Sequence, residues 1–177
     1  MNLNELPHGN AALALFPSRD GFGWILLDGP LSLVVWEVCT LAKENRGAEE
    51  KNRRCLEKAQ MLLKRHRPGV LVLEAFEGPK TRRRKRIIDF CRSLIAASAV
   101  EGIPVRILTR AQINACFKSQ QAKTRHEIAQ VVGKFLVEIE ARTPEKRKPW
   151  QGEFANMALL NAGALGIAFY ANPREPL

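Results

Sequence analysis

An acid and a run of cations lie close together in the middle of the sequence and could do chemistry on a phosphate. Glu74 belongs to the apolar run Gly69–Phe76, whose Val and Leu content predicts a buried parallel strand. Ligands of open α/β sheets bind at the carboxyl ends of such strands, where Glu74 would lie. Six cations follow within Lys80–Arg86. Glu74 is therefore a ligand-binding acid, a cap of the next helix or a partner of the arginines, and the residues alone favour the last two.

The sequence as a whole is basic, with a formal net charge of +10 and a pI near 9.9. This balance favours nucleic acid as a partner over a merely basic, soluble surface. The 177 residues, 46% hydrophobic and 26% charged, predict a single globular domain covering 1–177. No apolar run reaches the ~18 residues of a membrane span, and the first residues lack a signal-peptide layout. We therefore expect a cytoplasmic protein with no membrane partner.

The cysteines and histidines do not suggest a metal site. No cysteine forms a C-x-x-C pair, and the three histidines are scattered along the chain. Buried free thiols in a reducing compartment are the favoured interpretation. The cysteines are Cys39, Cys55, Cys91 and Cys116.

Apolar periodicity and turn residues predict ten elements that would position Glu74 and the cations. The predicted strands are Ala12–Phe16, Phe22–Leu27, Leu31–Leu41, Gly69–Phe76 and Ile103–Leu108. The predicted helices are Lys51–Arg65, Ile87–Val100, Arg110–Phe117, His126–Glu140 and Glu153–Tyr170. The order resembles that of the RNase H-like fold, an α/β class with a mixed five-stranded sheet flanked by helices. In it an antiparallel β-β-β meander precedes a β-α-β-α segment. The last helix is apolar on nearly all sides and should be buried against the sheet.

Five stretches, in order along nearly the whole chain, resemble the RuvC-type Holliday-junction resolvases. They are FPSRDGFGWILLDGP, VLVLEAFEG, RRRKRIIDFCRSL, AKTRHEIAQVV and RKPWQGEFANMALLNAGALGIAFY. The resemblance implies DNA as the partner, branched or junction DNA in particular, a role in DNA recombination, and a homodimer; RNA stays open. It implies hydrolysis of phosphodiesters by two Mg²⁺ (or Mn²⁺) ions held about 4 Å apart by carboxylates, if the protein is active. An inactive relative needs no cofactor.

The acids that the resemblance predicts are only partly present. The family's first strand ends in Asp-Pro, with the Asp a metal ligand, but here Phe16 takes that place and a phenyl ring cannot bind Mg²⁺. Glu74 and Glu153 match two further acids and are the catalytic and metal-binding candidates. Asn161 matches an acid of the last helix and offers only a neutral oxygen. The loss of two charges should weaken metal binding greatly, and Phe16→Asp with Asn161→Asp should restore it.

One other acid could take over part of the site. Asp20 lies in the predicted turn after the first strand, four residues beyond Phe16, and is the candidate substitute for the missing ligand. Glu153 precedes Asn161 by eight residues, about 12 Å along a helix, so the two are poorly placed to share one ion.

The cations would form the nucleic-acid-binding surface. A charge run is usually a solvated helix face, but this one follows the strand of Glu74, where a nucleic-acid backbone would pass. Arg125 begins a predicted helix, whose N–H groups could also hold phosphate. Trp150 could stack on an exposed base or cover the hydrophobic core, and we favour the core role. The nucleic-acid-binding candidates are Arg19, Lys80, Arg82, Arg83, Arg84, Lys85, Arg86, Lys123, Arg125, Arg147, Lys148 and Trp150.

Three hypotheses about function follow. The favoured one is a RuvC-like DNA-binding protein whose nuclease activity is lost or weakened. The second is an active Mg²⁺-dependent, structure-specific endodeoxyribonuclease that uses Glu74, Glu153 and Asp20. The third is a scaffold that uses the fold for protein partners.

Overall fold

The five strands form one mixed sheet. The computed structural model describes residues 10–41, 47–79, 83–146, 148 and 154–172. The strands are β1 (Ala12–Ser18), β2 (Gly21–Gly29), β3 (Ser32–Thr40), β4 (Val70–Glu74) and β5 (Val105–Leu108). Their order in the sheet is β3-β2-β1-β4-β5. β1, β2 and β3 pair antiparallel, whereas β1 with β4 and β4 with β5 pair parallel. The predicted meander and the following parallel strands are confirmed.

Five α-helices and two short 3₁₀ helices connect and cover the strands in the described part of the chain. The α-helices are α1 (Ala48–His66), α2 (Lys85–Val100), α3 (Arg110–Cys116), α4 (Arg125–Phe135) and α5 (Ala155–Ala171). The 3₁₀ helices are Lys118–Gln120 and Val137–Arg142. The predicted order of strands and α-helices is confirmed. The described helices include none that is long and apolar enough to cross a membrane.

One predicted helix is too long. The apolar spacing continues at helical period to Glu140, but α4 ends at Phe135 and a 3₁₀ helix follows. The chain turns back here so that the Thr143 hydroxyl lies against Gly133 of α4, where an added Cβ would be only 2.2 Å from the hydroxyl oxygen. The fold-back therefore overrides the helical pattern of the sequence.

The sheet separates two hydrophobic cores, and β1 contributes to both by alternation. Ala12, Ala14 and Phe16 face the core that contains α5, while Leu13 and Leu15 face the core that contains residues of α1 and α2. Side chains that alternate along a strand point to opposite faces of the sheet, which explains this division. Phe16 is thus a core residue, with 4% of its surface exposed.

The predicted burial of the last helix is confirmed, and one glycine permits it. α5 is buried along most of its length. A Cβ added to Gly23 of β2 would lie 2.3 Å from the backbone nitrogen of Leu159, so only glycine allows this approach of helix to strand. Gly23 is the partner of Phe16 on the neighbouring strand. The part of α5 around Leu159 therefore lies at the same height in the sheet as Phe16.

All four cysteines are free thiols, as the sequence predicts. Cys39, Cys55 and Cys91 are buried, and Cys116 is half-buried. Burial raises the pKa of the Cys55 thiol to about 11 and that of Cys91 to about 12.

Candidate nucleic-acid interface

The sheet places Phe16 and Glu74 next to each other. In the parallel pairing of β1 with β4, Ala14 is the partner of Val72, and Phe16 and Glu74 each lie two residues further on. Glu74 is also the last paired residue of β4, opposite Leu108 of β5. Glu74 thus ends β4, and Phe16 lies two residues before the end of β1, so both are near the edge where open α/β sheets bind ligands.

Two arginines hold the carboxylate of Glu74. Arg125, the first residue of α4, donates from Nη2 to Oε1 at 3.0 Å and from Nη1 to Oε2 at 3.3 Å. Arg83, just before α2, donates from Nη2 to Oε2 at 3.0 Å. The Glu74 side chain is only 4% exposed, and those of Arg83 and Arg125 are 16% and 38% exposed. A buried carboxylate is thus paired with two cations. The pair with Arg125 is bidentate, a geometry that gives strong hydrogen bonds. The pairing with the arginine run is present, whereas a metal-binding role of Glu74 stays a prediction.

The ring of Phe16 lies under the same two guanidinium groups. The Cζ atoms of Arg83 and Arg125 are 4.8 Å and 5.2 Å from the centre of the ring. Cations at these distances are attracted to an aromatic face. We call Phe16, Glu74, Arg83 and Arg125 the Glu74 cluster. In it, the aromatic side chain supports the arginines that neutralise the acid.

A third arginine adds to the positive charge. The partly buried Arg110, which begins α3 directly after β5, has its pKa lowered to about 10 by burial and by the charges of Arg125 and Arg83, while Glu74 opposes this shift. Three guanidinium groups and one carboxylate leave a local excess of positive charge. Arg110 is not among the predicted site residues, although it follows a strand that neighbours β4, where ligand-binding residues are expected.

The described residues at this edge do not fit a divalent cation. Mg²⁺ prefers oxygen ligands, usually carboxylates, and depends on their charge. Here Glu74 offers one carboxylate whose two oxygens already accept bonds from arginines, and the neighbouring position holds Phe16. The described residues contain no group of three or more His, Cys, Asp or Glu side chains that could hold a metal ion. The predicted acid Glu153 lies outside the described residues.

Asp20 has a different set of partners. It lies in the turn between β1 and β2, and its Oδ1 accepts a bond from Lys51 Nζ of α1 at 2.9 Å. Arg19 is largely exposed, with its Nε 3.9 Å from Asp20 Oδ2. The backbone oxygen of Asp20 accepts a bond from Leu41 N. The Asp20 carboxylate therefore helps to join the turn to α1.

Arg86 also contacts this turn rather than the Glu74 cluster. Its Nη2 donates to the backbone oxygens of Ser18 and Arg19 at 2.6 Å and 2.8 Å, and its Nη1 donates to Asn52 Oδ1 at 3.0 Å. The Asn52 amide in turn donates to the Arg86 backbone oxygen. We call Arg86, Asn52, Asp20 and Lys51 the turn cluster. The guanidinium of Arg86 is engaged with protein acceptors.

Asn161 lies within α5 and is buried. It is 3% exposed, and its Nδ2 has no hydrogen-bond partner among the described residues. Leu159 of α5 lies at the level of Phe16, and Asn161 follows two residues later, about 3 Å further along the helix. The half-buried Asn156 lies nearer the start of α5.

The other predicted cations are exposed or lie outside the description. Lys85 is 88% exposed on its side chain and pairs with Asp89 one turn along α2. Arg84, Lys123 and Lys148 are exposed. The predicted contacts of these residues with nucleic acid stay predictions. The candidates outside the described residues are Lys80, Arg82, Arg147, Trp150 and Glu153.

The arrangement of elements defines an RNase H-like fold, with the candidate site at the carboxyl ends of its parallel strands. More specifically, the fold is RuvC-like. The structure of RuvC from Thermus thermophilus matches at a TM-score of 0.63 and 18% identity, covering 91% of this chain and 94% of that chain. T. thermophilus RuvC in complex with Holliday junction substrate matches at a TM-score of 0.62 and 19% identity, with the same coverage. No family model and no curated protein sequence matches the chain.

Proposed function

We propose that this protein binds DNA, branched DNA in particular, and that its carboxylate site for metal-dependent cleavage has been replaced by an arginine-rich site. The observation that carries the proposal is the pairing of the buried Glu74 with both Arg83 and Arg125. A site of this kind attracts phosphate and repels divalent cations. The net charge of +10 and the RuvC-like fold support DNA as the partner. A homodimer, in which two copies contact one junction, is part of the proposal.

Arg125 is the residue that would connect the buried cluster to the DNA. Its side chain is 38% exposed although it holds Glu74, and a guanidinium group has five N–H donors. A phosphate could therefore bind Arg125 from the solvent side. Glu74 fixes the orientation of the guanidinium in advance, which lowers the entropy lost on binding.

The test is a binding and cleavage assay with a labelled four-way DNA junction. We expect tight binding in EDTA, in Mg²⁺ and in Mn²⁺, without cleavage. Glu74→Gln should keep or increase the affinity, because it removes a negative charge and releases donors of two arginines toward phosphate. Robust cleavage by the unchanged protein that Glu74→Gln abolishes would instead support the active endonuclease. Weak binding that salt does not change, together with a stable protein complex, would support the scaffold.

A rebuilt acidic site is the complementary test. The family resemblance predicts that Phe16→Asp with Asn161→Asp restores metal binding. The Glu74 cluster changes this expectation, because the carboxylate introduced by Phe16→Asp would pair with Arg83 and Arg125. We expect a gain in Mg²⁺ affinity only when both arginines are also replaced by Gln. Calorimetry of the double and quadruple variants measures it, and equal Mg²⁺ affinity in both would contradict the proposed role of the arginines.

A further inference from the structure

A pocket opens beside the Glu74 cluster and shares Arg125 with it. Its volume is about 500 Å³, within the range of roughly 300–1,000 Å³ that is common for small-molecule sites. It lies between the start of α4, the segment after the second 3₁₀ helix, and the start of α5. The lining residues are Thr124, Arg125, His126, Pro144, Glu145, Lys146, Phe154 and Met157.

Phe154 gives this pocket an exposed aromatic face. It precedes the first turn of α5 in an extended conformation, with φ −69° and ψ 138°, and 40% of its surface is exposed. A single exposed phenylalanine is ordinary on a protein surface. This one, however, lines a concave site together with Pro144 and Met157. The same site contains two permanent cations, Arg125 and Lys146, and one carboxylate, Glu145, so positive charge is in excess.

We infer that the pocket takes one unpaired nucleobase of the bound DNA, stacked on Phe154, with the adjacent phosphate near Arg125 and Lys146. The inference rests on the proposed DNA binding. Aromatic side chains stack on bases of any sequence, because each base has a π-face, and cations hold the backbone beside them. The pocket thus combines an aromatic side chain, two cations and a suitable volume. Arg125 connects it directly to the Glu74 cluster.

Two labelled four-way junctions that differ at one position test the inference. One carries an unpaired adenine at the branch point, and the other carries an abasic sugar there. We expect the unchanged protein to bind the adenine junction about 5- to 150-fold more tightly, since base–aromatic stacking has this magnitude. Phe154→Ala should remove the preference by weakening only the adenine complex. Phe154→Leu, which keeps an apolar side chain and removes the aromatic face, should do the same.

The matched control is Phe135→Ala. Phe135 is 38% exposed and lies at the other end of α4, about 15 Å along the helix from Arg125, so the preference should persist. Phe154→Trp should also retain it. If the unchanged protein binds both junctions equally, or if Phe154→Ala weakens both equally, the pocket does not take a base although DNA binding stands. If the unchanged protein binds neither junction, the proposed function itself fails.

Discussion

Arg83 and Arg86 are three residues apart in one run of cations, yet they belong to different clusters. Arg83 binds the Glu74 carboxylate and lies over the Phe16 ring. Arg86 binds two backbone oxygens of the β1–β2 turn and the side chain of Asn52. The run is therefore not a uniform phosphate-binding face. What each arginine does depends on which acceptors the fold brings to it.

The two clusters also differ in what holds them together. The Glu74 cluster depends on opposite charges, so removal of its one acid leaves like charges close together. The turn cluster includes neutral acceptors on backbone and amide groups, which persist at any pH. The first cluster is thus a site whose charge could be changed by substitution, whereas the second joins the turn to α1 and α2.

The largest effect is expected from Glu74→Ala. Breaking an ion pair from one side costs about 3–5 kcal/mol when the remaining charge is buried, and we expect a loss near the lower end, because Arg83 and Arg125 are partly exposed. Arg83, Arg110 and Arg125 would then repel each other. Urea unfolding measures the change in the free energy of unfolding. The control is Glu77→Ala, which removes a half-exposed acid just beyond β4 and should cost no more than about 1 kcal/mol. Equal losses in both variants would show that the Glu74 pairs are not important for stability.

Arg86→Ala should have the next largest effect. Hydrogen bonds of a charged donor each contribute about 1.5–3 kcal/mol when buried, and those of Arg86 are partly exposed, so we expect a loss of roughly 2 kcal/mol. The exposed Arg84, two residues earlier, provides the matched control, and Arg84→Ala should change stability by less than ~0.5 kcal/mol. Thermal unfolding of the two variants makes the comparison. A small loss for Arg86→Ala would mean that the turn is held by its other contacts.

Most of the fold was predictable because its signals are local. Continuous apolar runs mark β4 and α5, and short polar turns separate the meander strands. The end of α4 was not predictable from periodicity, because Leu136 and Ile139 continue the helical spacing although the chain has already left the helix. The departure brings Thr143 against Gly133, a tertiary contact that helical periodicity does not report.

The candidate site was less predictable. Glu74 at a strand end and Phe16 at the neighbouring position followed from strand patterns and the family resemblance. The bond between Arg125 and Glu74 joins residues 51 positions apart, and no spacing rule relates them. The roles of Arg83 and Arg86 could not be separated within a run of identical charges. Phe154 gives no periodic signal, since it lies just before a helix.

Lys85→Ala should have the smallest effect on stability. It is also the sharpest test of whether the exposed cations of the run Lys80–Arg86 bind DNA. Lys85 lies between Arg83 and Arg86 but is 88% exposed, and its pair with Asp89 is one helical turn away on α2. Such pairs contribute about 0.3–0.5 kcal/mol, so stability should hardly change. DNA affinity, however, should fall and depend less on salt, with the slope of log K against log salt reduced by about 1, because one phosphate contact is lost. Lys64→Ala is the control, since Lys64 is also exposed and pairs with Glu101 at 3.8 Å near the opposite end of α2. An identical salt dependence in both variants would place the DNA away from the start of α2, and the exposed part of the run would then be only a solvated helix face.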